Sequence, residues 1–409
     1  MSLKNKKTLT FLMTTTFYPP YHIGGDAIHV YYLANELAKS GHKIHIIHLI
    51  DSYRWQRKEE PPGSYPNHPN ITVHPIKSPI GKVSPLMSYI FGTYYPISKE
   101  ILRLIYEINP DVIHHHNIAG FGPFILDIEA PVVLYTAHDY WALCPMNSFL
   151  KYKKYSCNGR RDCFLCSLYY KRPPQLWRYI KKGKYRFSKI DTIIAPSRYV
   201  AEKLSKEIEV NIITIPNFVP NPPQILPNSK YENYFLYIGL LESHKGILNL
   251  IELFKDCKDE IDSKLLIVGE GTLKNKIKTI IRNYKLEDRI LLLGWKEHNE
   301  IYSLLKNAYA LIVPSIWSEN SPLVALEALS VGTPVIGTNM GGIPEIVEKV
   351  NPKFILKDFN KKSFLDMLPL LSEISRDSII KTYKEHFSIE GYLDKYLKLL
   401  GVENEYSCS

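Results

Sequence analysis

The sequence predicts an α/β protein of two domains, each a parallel sheet covered by helices on both faces, with a cleft between them. Three observations carry that prediction. The chain has 409 residues, the length of two domains. Short β-branched apolar runs alternate with helix-period segments along nearly all of it. The alternation then restarts after a proline-dense stretch (Pro216, Pro220, Pro222, Pro223 and Pro227) that reads as a stiff linker.

The elements follow in order. Residues 9–15 are a first strand, and Gly24-Gly25 lies in the loop behind it. Ile28, Tyr31, Leu33, Ala34, Leu37 and Ala38 fall at helical spacing and predict a helix over 27–39, stopped by Gly41. Strands are expected over 42–50 and 71–76, a helix over 97–108, and strands over 111–116 and 132–136, the last leading to His138. A strand at 191–195 precedes a helix capped by Ser197 that runs to about 208. Beyond the linker, strands at 234–238, 264–268, 290–293, 310–313 and 334–337 alternate with helices at 246–254 and 274–283, and an amphipathic helix closes the chain at about 388–400. The expected organisation is an N-terminal Rossmann-like domain over 1–216 with an insert at 140–189, a linker at 217–232, a second such domain over 233–386, and a terminal segment over 387–409.

Hydrophobic residues make up 45% of the chain and charged residues 22%, ordinary values for a globular protein. No run of 18 uncharged apolar residues occurs, so no membrane span is expected. Lys4, Lys6 and Lys7 precede an apolar stretch, but it is Thr-rich and lacks a small-residue cleavage site, so it reads as the first buried strand and the cytoplasm as the compartment. The net charge of +10 is unevenly spread. Residues 151–189 hold 13 Lys or Arg against one acid, Asp162; that +12 leaves about −2 for the rest of the chain. Aromatic residues are interleaved with these cations, a mixture suited to an anionic membrane surface, with nucleic acid the lesser expectation and a solvated face the plain alternative.

The stretch from Ser315 to Glu327 carries the chemistry. Glu319 and Glu327 are separated by seven residues that include Asn320, Ser321, Pro322 and Leu323. Ser321 followed by Pro322 reads as a helix start, with Ser as cap and Pro at the first helical position. That places Glu319 in the loop before the helix and Glu327 on its second turn. A helix N-terminus offers unpaired N–H groups and partial positive charge, a seat for a diphosphate, and carboxylates beside it can hold sugar hydroxyls. Gly341-Gly342-Ile343-Pro344-Glu345 opens another helix behind a double-Gly turn.

This order of motifs, together with Gly24-Gly25 after the first strand, resembles glycosyltransferase family 4, the retaining nucleotide-sugar-dependent enzymes of the GT-B fold. The resemblance covers nearly the whole chain. It implies a glycosyltransferase with a nucleoside-diphosphate sugar as donor, a lipid-linked or saccharide acceptor, and no cofactor required for transfer. Gly24 and Gly25 would face the donor diphosphate, and His138 would contact the donor sugar at the reacting centre, with Asp139 placed to orient it. Glu319 would hold donor-sugar hydroxyls and Glu327 the ribose. Asn320, Ser321, Pro322, Leu323 and Trp295 would complete the donor site, Trp295 by stacking on the base or by packing in the core. Lys245, in Gly239-Leu-Leu-Glu-Ser-His-Lys-Gly246, would grip the diphosphate; the family's usual Arg is Leu240 here, so either another cation such as His244 substitutes, or activity is weak, or the donor differs. The resemblance also implies that the terminal helix crosses back onto the first domain.

Three further readings complete the expectations. His114-His115-His116 looks like a metal site, but neighbouring strand residues face opposite sides, so the three cannot easily share one ion. Cys144, Cys157, Cys163 and Cys166 have the spacing C-x12-C-x5-C-x2-C, which suits a structural zinc site, with an iron–sulfur cluster, disulfides or separate thiols as alternatives. The leading function is sugar transfer by a cytoplasmic protein peripheral to the inner face of the cell membrane, without nucleic acid. Its rivals are a GT-B sugar-nucleotide epimerase and a non-catalytic scaffold derived from a transferase.

Overall fold

The computed structural model describes residues 6–57, 61, 63–152, 155–157, 162–179, 186–223 and 231–402. Parts of the expected linker (224–230) and of the basic insert (153–154, 158–161, 180–185), and Cys408, lie outside the described residues. The chain divides into two compact units, residues 1–215 with 392–409, and residues 216–391.

The first unit is built on seven parallel strands. Its elements run β1 (Thr10–Thr14), α1 (Gly25–Lys39), β2 (Lys43–Leu49), α2 (Ile50–Gln56), β3 (Ile71–Ile76), α3 (Ser84–Phe91), α4 (Tyr95–Ile108), β4 (Val112–His115) and β5 (Val132–Thr136). A two-stranded antiparallel ribbon follows, β6 (Leu150–Lys151) with β7 (Tyr155–Ser156), then α5 (Cys163–Tyr169), β8 (Thr192–Ala195), α6 (Arg198–Ser205) and β9 (Asn211–Thr214). The sheet order is β3-β2-β1-β4-β5-β8-β9. Parallel neighbours need helical crossovers, so both faces are covered and the central strands read as unbroken apolar runs. Leu12, Ile47, Ile113, Val133 and Ile193 from five strands share one buried cluster. Ser197 caps α6 as expected, accepting from the Val200 N–H.

The second unit repeats the plan with β10 (Tyr234–Ile238), α7 (Ile247–Asp256), β11 (Lys264–Val268), α8 (Lys274–Asn283), β12 (Ile290–Gly294), α9 (His298–Asn307), β13 (Leu311–Val313), α10 (Leu323–Ser330), β14 (Val335–Thr338), α11 (Ile343–Val347), β15 (Ile355–Leu356), α12 (Lys361–Leu365), α13 (Leu368–Glu373) and α14 (Arg376–Phe387). Its parallel sheet has the order β12-β11-β10-β13-β14-β15. Side chains alternate across it: Tyr234, Leu236 and Leu266 enter one core, while Phe235, Tyr237 and Leu265 enter the other. Both faces are therefore apolar, and polar chemistry is confined to the loops at the strand ends.

The last helix, α15 (Ile389–Leu399), delivers its residues from Tyr392 onward to the first unit. Tyr396 is fully buried there, its ring 6.3 Å from Phe11 and its hydroxyl 2.9 Å from His114 Nδ1.

Candidate active site

In the second unit, the loop between β13 and α10 carries Glu319, which is 7% exposed. Its Oε1 accepts from Lys245 Nζ and from Ser315 Oγ, each at 2.6 Å. Lys245 ends a short 3-10 turn, residues 243–245, just after β10. Gly246 holds that turn against the neighbouring strand end: its φ is +72°, and a Cβ there would lie 1.8 Å from the Pro314 carbonyl. The double-Gly turn grips Glu319 from the other side. The Gly342 N–H donates to the Glu319 carbonyl at 2.7 Å, and a Cβ on Gly341 would approach that oxygen to 2.2 Å. Three strand ends thus converge on one residue: those of β10 and β13 reach its carboxylate, and the turn after β14 holds its backbone.

Burial would raise the Glu319 pKa, but the Lys245 ammonium and the hydrogen bonds hold the carboxyl below its usual value. Lys245 also lies 5.3 Å from the centroid of the Trp317 ring. His244 stands edge-on to the same ring at 5.3 Å, and burial together with Lys245 depresses its pKa. His244 is therefore neutral at neutral pH and does not replace the charge that Leu240 lacks; Leu240 itself is 54% exposed.

The helix start differs by one residue from the sequence expectation. Helix α10 begins at Leu323, and Pro322, with φ −68° and ψ 116°, is the cap. Ser321 does not cap: its Oγ is buried without a hydrogen-bond partner, and its carbonyl accepts from Asn217 Nδ2 at 3.2 Å. Leu323 and Val324 are only partly buried; Ala325, Leu326, Ala328 and Leu329 form the apolar face. Glu327 sits on the second turn, with Oε1 3.5 Å from His298 Nε2 at the start of α9. The sequence reading missed α9 and this partner. The signal was present in Glu297 and Glu300, whose side chains form a reciprocal capping box. Trp295 follows the end of β12 and is 66% exposed, so it is not a core residue.

The first unit holds a separate polar cluster at the C-terminal ends of β4 and β5. Gly24, with φ +90°, and Gly25 begin α1. One turn on, His29 meets His138 edge-on at 5.0 Å. His138 Nε2 is 2.9 Å from His116 Nδ1, and the rings of His114 and His116 lie 3.9 Å apart. His115 points the other way and bonds Thr14 Oγ1 at 2.8 Å, the alternation the strand requires. Burial lowers the pKa of His138 to about 3 and depresses His29, His114 and His116 as well, so the cluster is neutral. Asp139 does not orient His138. Its carboxylate closes its own turn, accepting from the Trp141 N–H at 2.8 Å and Asn147 Nδ2 at 2.9 Å, and burial raises its pKa to about 7.

No disulfide joins Cys144, Cys157, Cys163 and Cys166. Burial first, then the neighbouring thiols, pushes Cys163 up to about 11, so the sulfurs share one region. Among the described residues, however, no group of three or more His, Cys, Asp or Glu side chains is arranged to hold a metal ion.

Comparison with known proteins adds the identity. The family model described as Glycosyltransferase Family 4 matches residues 23–221, and the one described as Glycosyl transferases group 1 matches residues 220–386. The chain belongs to the family 4 type of glycosyltransferases. An uncharacterised glycosyltransferase of Methanocaldococcus jannaschii is 28% identical over 392 residues, 92% of this chain and 91% of the relative. An Escherichia coli UDP-Gal:alpha-D-GlcNAc-diphosphoundecaprenol alpha-1,3-galactosyltransferase is 31% identical over 182 residues, 41% of this chain and 46% of that one. Among solved structures, sucrose-phosphate synthase from Thermosynechococcus elongatus superposes with a TM-score of 0.71 at 18% identity, over 96% of this chain and 98% of that one. Anabaena HepE in complex with UDP gives 0.63 at 14% identity, over 96% and 99%. The fold of this glycosyltransferase is accordingly GT-B, and the protein is an enzyme that transfers sugars.

Proposed function

We propose that this glycosyltransferase moves a hexose, with retention, from a nucleoside-diphosphate sugar to a lipid-linked or polysaccharide acceptor at a membrane surface. The observation that carries the donor assignment is the Lys245–Glu319 pair, held at 2.6 Å by three strand ends beside the start of α10. An ammonium next to helical N–H groups stabilises the negative charge that develops on a departing diphosphate. When the donor binds, Lys245 turns to the phosphates and Glu319 accepts from hydroxyls of the donor sugar. Glu327 takes the ribose hydroxyls, with His298 holding its other side, and Trp295 offers a face to the base. His138, neutral across the working pH range, is suited to donate a hydrogen bond to a sugar hydroxyl. The bond from the anomeric carbon to the phosphate oxygen breaks as the bond to the acceptor oxygen forms on the same face, and the leaving phosphate takes the acceptor proton. No metal enters this scheme, because Lys245 and the helix supply the positive charge. The lipid-linked acceptor is supported by the diphosphoundecaprenol in the name of the E. coli relative and by the basic insert.

The test is thermal stabilisation of the pure protein across a panel of nucleoside diphosphates and nucleotide sugars, with Glu327→Ala as control. A shift with one nucleotide family, weakened about 10- to 100-fold in apparent affinity by the substitution, supports the donor site and names the base. No shift with any nucleotide would overturn the reading and favour a binding protein in which Leu240 has cost the site its grip.

A further inference from the structure

Helix α5 is amphipathic in the wrong sense for a protein in water. Its buried residues are Cys166 and Ser167, while Phe164, Leu165, Leu168 and Tyr169 are 47%, 59%, 51% and 53% exposed. An ordinary surface helix buries its apolar stripe and shows its polar one. The inverted face does not stand alone. Tyr179, half exposed, meets Phe164 edge-on at 6.0 Å, and Leu176 beside it is 45% exposed. Folded monomers rarely leave such a contiguous apolar surface open.

The face is held in place rather than left loose. The Tyr170 hydroxyl donates to the Leu150 carbonyl at 2.9 Å, and Trp177 Nε1 donates to the Tyr89 carbonyl at 3.1 Å. The Arg178 guanidinium stacks over Trp177, 4.3 Å from its centroid, so even the central cation sits on an aromatic plane. The six apolar side chains lie within the segment 151–189, with its 13 Lys or Arg and the single acid Asp162, which is paired to Lys151. Lys171 and Arg172, directly after α5, are exposed.

We propose that this face docks into the headgroup region of an anionic lipid bilayer, α5 and the turn at Leu176–Tyr179 entering the interface while Lys171 and Arg172 meet lipid phosphates. A bilayer of this kind accepts both halves of the surface at once: rings and leucines at the acyl boundary, Lys and Arg at the charged plane. No helix among the described residues is long and apolar enough to cross a membrane, so the attachment is peripheral. The assignment deepens the membrane-surface acceptor reading and rests on it.

Flotation of the full chain with vesicles tests it. The probes are neutral phosphatidylcholine and phosphatidylcholine mixed with phosphatidylglycerol, at low and high salt. The unaltered protein should float with the anionic vesicles at low salt only. Leu165→Glu combined with Leu168→Glu, both at exposed positions, should reduce partitioning by about tenfold or more, with the melting temperature unchanged. Lys171→Glu with Arg172→Glu should weaken binding and flatten its salt dependence. Three outcomes overturn the proposal: no flotation of the unaltered protein, flotation indifferent to the leucine changes, or a dimer in light scattering that the leucine changes dissolve without any vesicle binding, which would make a second copy the occupant. Nucleotide stabilisation, measured on the same variants, separates the two readings. Its loss everywhere would sink the donor assignment and leave docking standing; its persistence without flotation would do the reverse.

Discussion

Lys245 and Glu319 show how one residue changes the chemistry of another. Glu319 is buried, and only the ammonium and its hydrogen bonds keep it ionised. Removing the ammonium in Lys245→Ala leaves a carboxylate in a poor solvent, so its pKa should climb, the unit should lose about 1–3 kcal/mol of stability, and transfer should slow by about 10²–10³-fold. Adding Glu319→Gln should restore part of the stability, since an amide carries no charge to desolvate, without restoring the rate. Melting curves and single-turnover rates on the two single variants and the double variant check both parts; an unchanged melting temperature in Lys245→Ala would show that the pair is open to water. His116 makes a similar argument for His138. Its Nε2 is buried with no hydrogen-bond partner, whereas Nδ1 meets His138 at 2.9 Å. A buried N–H without an acceptor is rarer and more unfavourable than a lone pair without a donor. His116 should therefore carry its proton on Nδ1 and donate to His138 Nε2, leaving the His138 proton on Nδ1. Long-range ¹H–¹⁵N correlation spectra distinguish this tautomer from its opposite. The carboxylates, the lysine and His138 were legible in the sequence because each follows a strand end or a helix-start signal. The partners His298 and His116 were not, since pairing across 29 or 22 positions is written only in the fold.

The elements explain which boundaries could be read and which could not. Strands such as β10, β11 and β13 came within a residue or two of expectation because a strand buried on both faces is an uninterrupted apolar run. Helix α10 was misplaced by one residue because proline's fixed φ suits both the cap and the first helical position, and only ψ, set here by the surrounding loop, decides between them. Helices α5 and α9 were passed over for opposite reasons: α9 starts with charged and polar residues, and α5 shows its apolar residues to solvent. The meeting of α1, β4, β5 and α15 around His29, His114, His116 and His138 gives a pH dependence with a definite sign. Burial depresses all four pKa values below the ordinary 6.5, and that of His138 to about 3. The unfolded chain binds protons more readily than the folded one between those limits, so this stability is fully present above pH 6.5 and is lost progressively as pH falls toward the folded values. Going from pH 6.5 to pH 5, each such imidazole removes about 1.7 kcal/mol, while Asp139, raised to about 7, works in the opposite sense and offsets about one of them, so the first unit should show a net fall in melting temperature. A flat profile over that range would place the imidazoles in contact with water.

At the scale of the molecule, the chain's last turns belong to its first unit. Tyr392, Tyr396, Leu397 and Leu400 are all at most 5% exposed, and Tyr396 supplies the hydroxyl that meets His114. The fold class was visible early because two repeats of strand–helix alternation are a long-range pattern, whereas the seating of one terminal helix depends on a few aromatic contacts that periodicity does not encode. A chain ended after Gly391 would strip these side chains from the first unit, uncover Phe11, and leave His114 Nδ1 buried without its partner. Each large buried side chain lost costs about 3–5 kcal/mol in a core, so the first unit should unfold at ambient temperature or melt far below the second. The second unit, residues 216–391, keeps Lys245, Glu319 and Glu327 and every contact that holds them. Calorimetry on the shortened chain should therefore retain one transition that nucleotide still raises, by about 2.7 kcal/mol at a hundredfold excess over the dissociation constant, while sugar transfer is abolished. Loss of the nucleotide shift along with the first transition would instead mean that the donor seat is not stable without the first unit, and that the two halves fold as one cooperative body.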